Sequence, residues 1–223
     1  MTHPMLWADP DRMPAPAAVN SRRYGSFARM IGALFLRLFG WRVEGRFPSL
    51  PKAVLIAAPH TSNWDFPFML ACAYVLDLRP MWLGKHQMFR WPFGGLMRWL
   101  GGLPVNRSRR NDLVRQAVER FAAAPSLLLL VPPTGTRSVA PYWKSGFYHI
   151  ARGAGVPIVC TFLDYRKRVG GIGCTVIPSD DLAADMHQIR AFYAGVSAKY
   201  PAQNTPVRLR EEDAVQSATA AVG

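Results

Sequence analysis

In the stretch AAPHTSNWDFP (57–67), His60 closes an apolar run and Asp65 follows five positions later. An imidazole paired with a carboxylate is the machinery of general base catalysis: the acid fixes the tautomer and stabilises the imidazolium as it forms. An offset of five puts two side chains about 140° apart on a regular helix, so this pair meets only across a turn into a helix. Thr61, Ser62 and Asn63 supply such a turn, because all three favour helix entrances. The same residues also fit a capped helix whose aspartate merely complements the dipole. On these residues alone the two readings stand level. No G-x-S-x-G elbow accompanies the pair, and Cys72, Cys160 and Cys174 lie in apolar runs. A base at His60 therefore acts on a hydroxyl of the substrate, in one step and without an enzyme-bound intermediate.

The elements that position this pair are legible as alternating runs. Ala53–Ala58, Met81–Gly84, Leu127–Val131, Pro157–Leu163 and Ile172–Ile177 read as strands. Trp64–Leu76, Pro92–Leu100, Asn111–Ala123, Tyr142–Ala154 and Asp181–Tyr200 read as helices. Continuous apolar strands alternating with helices predict an α/β domain, with a mostly parallel or mixed sheet covered on both faces. Ligand sites in such sheets gather at the C-terminal ends of the strands. His60 falls just past one such end, and Thr134–Arg137 just past another. Residues 42–202 are expected to form this single domain, with loose tails at 1–20 and 203–223.

Residues 21–41 form a separate object. Phe27, Met30, Ile31, Leu34, Phe35 and Leu38 follow one helical face. Arg22 and Arg29 project opposite, Arg37 lies at the flank, and Leu36 points off the stripe with no evident core to enter. The segment is read either as a helix packed on the domain or as an amphipathic helix in a membrane interface. The second is preferred, because 27 Lys+Arg against 14 Asp+Glu give a formal charge of +13, which favours anionic surfaces. The segment GKHQMFRWPFGGLMRWL (84–100) interleaves Lys85, Arg90 and Arg98 with Trp91, Phe93 and Trp99, and reads as a thioester-side or lipid-side surface or as a buried amphipathic helix. No RNA-recognition signature or zinc-finger spacing supports a nucleic-acid partner.

The three scattered cysteines read as buried thiols of a reducing compartment, with no metal-ligand spacing. No signal peptide is evident, and the longest uncharged apolar run, Phe66–Leu76, is far short of the ~18 residues of a span. A cytoplasmic chain, peripheral on the cytoplasmic face of the membrane, is expected. His86 and His149 lack local carboxylate partners and are read as structural.

Four ordered blocks carry a resemblance. PHTSNWD (59–65) resembles the H-x4-D block of the glycerolipid acyltransferases, the 1-acylglycerol-3-phosphate acyltransferase family. GGLPVNR (101–107) resembles the second block, PTGTRS (133–138) the third, usually Pro-Glu-Gly-Thr-Arg-Ser, and GVPIV (155–159) the fourth. Four blocks in order are far more specific than any one alone. The resemblance implies that His60, held by Asp65, takes the proton from a hydroxyl of a lysophospholipid-type acceptor. That hydroxyl then attacks the thioester of an acyl-CoA or acyl carrier protein. It further implies that Arg107 and the turn of Thr134, Gly135, Thr136 and Arg137 bind the acceptor. Arginine forks and a Gly-Thr turn suit phosphate oxygens, and Lys144 is a weaker addition to them. No cofactor or metal is expected; the thioester is a co-substrate, and the partners are donor, acceptor and an anionic membrane surface.

Two positions depart from the family pattern. Thr134 stands where the third block usually has glutamate, offering a neutral hydroxyl in place of an anion. Asn106 replaces an acidic residue often found before the second-block arginine. An alternative follows: a catalytically impaired lipid- or anion-binding protein on the same fold.

Overall fold

The computed structural model describes residues 24–105 and 110–213. Its centre is a seven-stranded sheet of β1 (Arg42–Glu44), β2 (Lys52–Ala57), β3 (Met81–Lys85), β4 (Gly102–Val105), β5 (Leu127–Val131), β6 (Ile158–Asp164) and β7 (Val169–Val176). The spatial order is β1-β7-β6-β2-β5-β3-β4. Strands β6, β2, β5, β3 and β4 run parallel. β7 turns back antiparallel to β6, and β1 pairs parallel with β7. The mixed α/β architecture expected from the alternation is the one found. Central strands such as KAVLIA and LLLLV are apolar on both faces because helices cover both.

One face carries α4 (Arg110–Ala123), α5 (Gly146–Ala154) and α6 (Leu182–Tyr193) over Val54, Ile56, Leu129 and Ile158. The other carries α2 (Asp65–Val75) and α3 (Gly94–Trp99), with Phe66, Met69 and Met97 packed over Leu55, Leu128 and Leu130. An outer helix, α1 (Ser26–Leu38), lies on α2. Among the described residues no helix is long and apolar enough to cross a membrane.

Five expectations need correction. Leu36, thought to have no core to enter, is 3% exposed and packs in the cluster with Trp41 and Phe68. Its seam exists because Gly32 lets the helices close: a Cβ there would sit 2.8 Å from Ala71 O and 2.9 Å from Tyr74 Cβ. Consequently the broad stripe of Phe27, Met30, Leu34 and Leu38 faces outward, with Leu38 78% exposed.

The second block, GGLPVNR, is not among the expected strands, yet it contains edge strand β4. The helix expected from Tyr142 begins only at Gly146, after Trp143 bridges to Leu209, and the one expected to reach Tyr200 ends at Tyr193. The segment from residue 203 is not loose as far as 213. Thr205 and Leu209 are buried, and the Leu209 N–H donates to Glu212 Oε1 at 2.6 Å.

Candidate active site

His60 sits on the loop between the C-terminal end of β2 and the first turn of α2. Its Nδ1 lies 3.1 Å from Asp65 Oδ2. The same oxygen accepts the N–H groups of Thr61 and Ser62, each at 2.9 Å. Asp65 is the first residue of α2, so its carboxylate folds back over the loop and ties the loop's amides to the helix start. Ser62 contributes locally as well, its Oγ accepting the Trp64 N–H at 3.1 Å. The other oxygen, Oδ1, accepts the Tyr165 hydroxyl at 2.7 Å. An imidazole that donates Nδ1–H to a carboxylate presents Nε2 as the basic nitrogen.

The electrostatics follow from these contacts. Burial pushes the Asp65 carboxyl up, but hydrogen bonds from His60, Tyr165 and the Ser62 amide outweigh it and hold the group below its ordinary 3.8. Burial, and then the donated hydrogen bond to Asp65, push the Tyr165 phenol far up, so it stays a donor. Asp65 is thus a permanent anion at neutral pH, and it orients His60 without competing for its proton.

His60 and Asp65 line a pocket of about 570 Å³ of empty space, open to solvent, between α2 and the sheet. The rest of its lining is almost wholly apolar, including Leu55, Met69, Leu76, Leu130, Phe162 and Ile172. Cys72 is also there, but burial pushes its thiol up to about 12, leaving a neutral wall residue. Cys160 is buried and Cys174 half-buried, and both are free.

The turn after β5 approaches the same loop. Arg137 is exposed, and its Nε donates to Ser62 O at 3.2 Å. Gly135 adopts φ +64, where a side chain is strained, and a Cβ there would meet Lys144 Nζ at 2.7 Å. Thr136 is exposed and accepts the Ser138 N–H. Thr134 is buried, and its hydroxyl donates to Thr136 O at 2.7 Å, so its polar group is used inside the turn. The structure therefore brings His60, Asp65 and Arg137 to one loop. Arg107 and Asn106 lie outside the described residues. His149 lies beside Glu211, 4.0 Å away, on the surface.

Sequence reading missed the far end of the chain. Tyr200 N–H donates to Thr61 Oγ1 at 3.2 Å, Tyr165 N–H to Ser197 O at 2.9 Å, and Ala140 N–H to Thr205 Oγ1 at 3.0 Å. The segment after α6 thus binds both loops of the site. One signal was available for Tyr165: it follows directly on the C-terminal end of a parallel strand, where site residues gather.

A buried carboxylate thus holds a histidine at the C-terminal end of a parallel strand in a mixed α/β sheet. Residues 41–163 match the protein family described as Acyltransferase, more than half of the chain, and the chain belongs to that family. It is 30% identical over 151 residues to the 1-acyl-sn-glycerol-3-phosphate acyltransferase of Haemophilus influenzae, covering 63% of this chain and 60% of that protein. The enzyme of the same description from Escherichia coli is 32% identical over 152 residues, covering 63% and 59%. The match thus spans about three-fifths of these relatives' length. The crystal structure of the 1-acyl-sn-glycerophosphate (LPA) acyltransferase PlsC from Thermotoga maritima shares the fold, with a TM-score of 0.55 at 18% identity over 76% of this chain and 77% of that one.

Proposed function

We propose that this protein moves a fatty acyl group from an acyl thioester, acyl-CoA or acyl carrier protein, to the free hydroxyl of a 1-acylglycerol-3-phosphate-type acceptor. The carrying observation is the His60–Asp65 contact of 3.1 Å at the wall of an apolar pocket. His60 Nε2 takes the acceptor's hydroxyl proton as its oxygen bonds to the thioester carbonyl carbon. Asp65 stabilises the imidazolium. The C–S bond then breaks, and the departing thiolate receives the proton from His60. The apolar pocket takes an acyl chain, each buried methylene contributing about 0.8 kcal/mol. Arg137, with Arg107 and the Gly135–Thr136 backbone, holds the acceptor's phosphate. The family membership and the two curated relatives support this reaction class.

The protein works at the cytoplasmic face of a membrane without spanning it. Supporting this, the outward stripe of α1 and the exposed Trp91, Phe93, Leu96 and Trp99 belong to elements on the same side of the sheet. Trp91 is 93% exposed, and Arg90 and Arg98 accompany it as anchors for anionic headgroups. No resident cofactor takes part. The deciding experiment gives purified protein a labelled acyl thioester and 1-acylglycerol-3-phosphate and follows the lipids by mass spectrometry. A diacylglycerol phosphate product with release of free thiol is expected. Binding of anionic vesicles with no acyl transfer to any acceptor would instead leave a binding protein on this fold.

A further inference from the structure

An ammonium group sits among three aromatic rings beside the loop that carries His60. Lys199 Nζ lies 5.7 Å from the centre of the Trp64 ring, 5.3 Å from that of Tyr165 and 5.9 Å from that of Tyr200. Each ring is tied to the site by a different route. Trp64 immediately precedes Asp65, Tyr165 donates its hydroxyl to Asp65 Oδ1, and the Tyr200 N–H donates to Thr61 Oγ1. The π faces attract the cation electrostatically and restrict an otherwise flexible four-carbon stem.

The carboxylate of Asp65 takes its hydrogen bonds from other groups. Asp65 is held by hydrogen bonds from His60, Tyr165 and the Thr61 and Ser62 amides. Two residues before Trp64, the same loop is gripped at Ser62 O by Arg137. One short loop therefore carries His60 and meets two cations, each fixed by contacts of its own. Two fixed cations beside a general base suit a phosphate group attached to the reacting molecule, because a phosphate accepts from both while its hydroxyl is presented to the base.

We propose that Lys199, caged by Trp64, Tyr165 and Tyr200, is a binding position for a substrate phosphate, the phosphate monoester of the acylglycerol acceptor. This deepens the acyl-transfer reading and rests on it. The residue lies in the C-terminal segment, after the family match ends at 163. The phosphates of a CoA donor share the same chemistry, and the kinetics separate the two sources.

The test uses the full chain with Lys199→Met and Lys199→Arg. Turnover is measured with a 1-acylglycerol-3-phosphate, with a monoacylglycerol lacking phosphate, and with the donor varied. Binding of a short-chain 1-acylglycerol-3-phosphate without donor is read by calorimetry. Losing one charge-assisted contact raises the acceptor KM and the calorimetric Kd about tenfold in Lys199→Met, with kcat within about twofold. The monoacylglycerol KM stays unchanged, and Lys199→Arg stays near wild type. A rise confined to the acyl-CoA KM keeps the phosphate position and assigns it to the donor. An equal fall of kcat with both acceptors, or loss of vesicle binding alone, overturns the proposal and makes Lys199 a loop prop or a membrane contact. Should the wild type turn over no acceptor, calorimetry still decides. Weaker binding by Lys199→Met supports the position while sinking acyl transfer, and unchanged binding overturns the position itself.

Discussion

Tyr165 donates its hydroxyl to Asp65 Oδ1 at 2.7 Å, the one carboxylate oxygen that His60 does not touch. The acid is thereby held at both oxygens, by the base and two loop amides on one and by a phenol from a different strand end on the other. Removing the phenol frees the carboxylate to rotate about its own bond and to lose alignment with Nδ1. Tyr165→Phe is expected to lower kcat about tenfold, the effect of one hydrogen bond to a charged group, while KM for either substrate moves little. Steady-state kinetics read this directly, and a pure KM effect would place Tyr165 in binding instead.

The depressed Asp65 carboxyl makes a pH prediction with a definite sign. A carboxylate whose folded-state value lies below 3.8 adds stability that is fully present above that value and fades as the pH falls through the lower folded-state value. Chemical denaturation of wild type and Asp65→Asn should therefore differ by a constant margin at neutral pH. The margin should shrink only below about 3.8. A margin already closing near pH 6 would contradict the assignment.

The two faces of α1 separate cleanly by mutation. Leu36→Ala opens a cavity against α2 and should cost about 2–5 kcal/mol of stability. Leu34→Glu with Leu38→Glu alters residues 66% and 78% exposed, so stability should hold while vesicle affinity falls at least about tenfold. Flotation with anionic liposomes, alongside denaturation, checks both halves.

Thr134 yields a prediction about the third block. Its hydroxyl closes the turn by donating to Thr136 O, and that turn sets Arg137 against Ser62 O. Thr134→Val keeps the shape and removes the bond, and is expected to raise the acceptor KM about three- to tenfold. Acceptor titrations with both proteins settle it, an unchanged KM showing that the turn holds its shape without the bond.

Which parts were legible in the sequence follows from range and burial. His60 and Asp65 are near neighbours in the chain, so a turn-length spacing offered the pairing, and the three later blocks favoured it over a plain helix cap. The central strands announced themselves because both of their faces are covered. Strands β1 and β4 did not, because both lie at sheet edges. An edge tolerates the charged ends of Arg42-Val43-Glu44 and the strand-disfavouring Gly102 and Pro104. Leu36 was misread because its partner is a groove opened by a missing side chain at Gly32, which no periodicity records. Tyr165, Lys199 and Tyr200 reach the site from 100 or more positions away, with no local spacing to betray them. Only the topology brings them to the loop.

Everything in the proposed acyl transfer turns on His60 as the base. The most direct test is turnover by His60→Ala, purified and shown to keep the wild-type circular dichroism, with acyl thioester and 1-acylglycerol-3-phosphate at saturation. A fall in kcat of at least about a hundredfold is the predicted result, the scale of a lost general base. Turnover at the wild-type rate would contradict it.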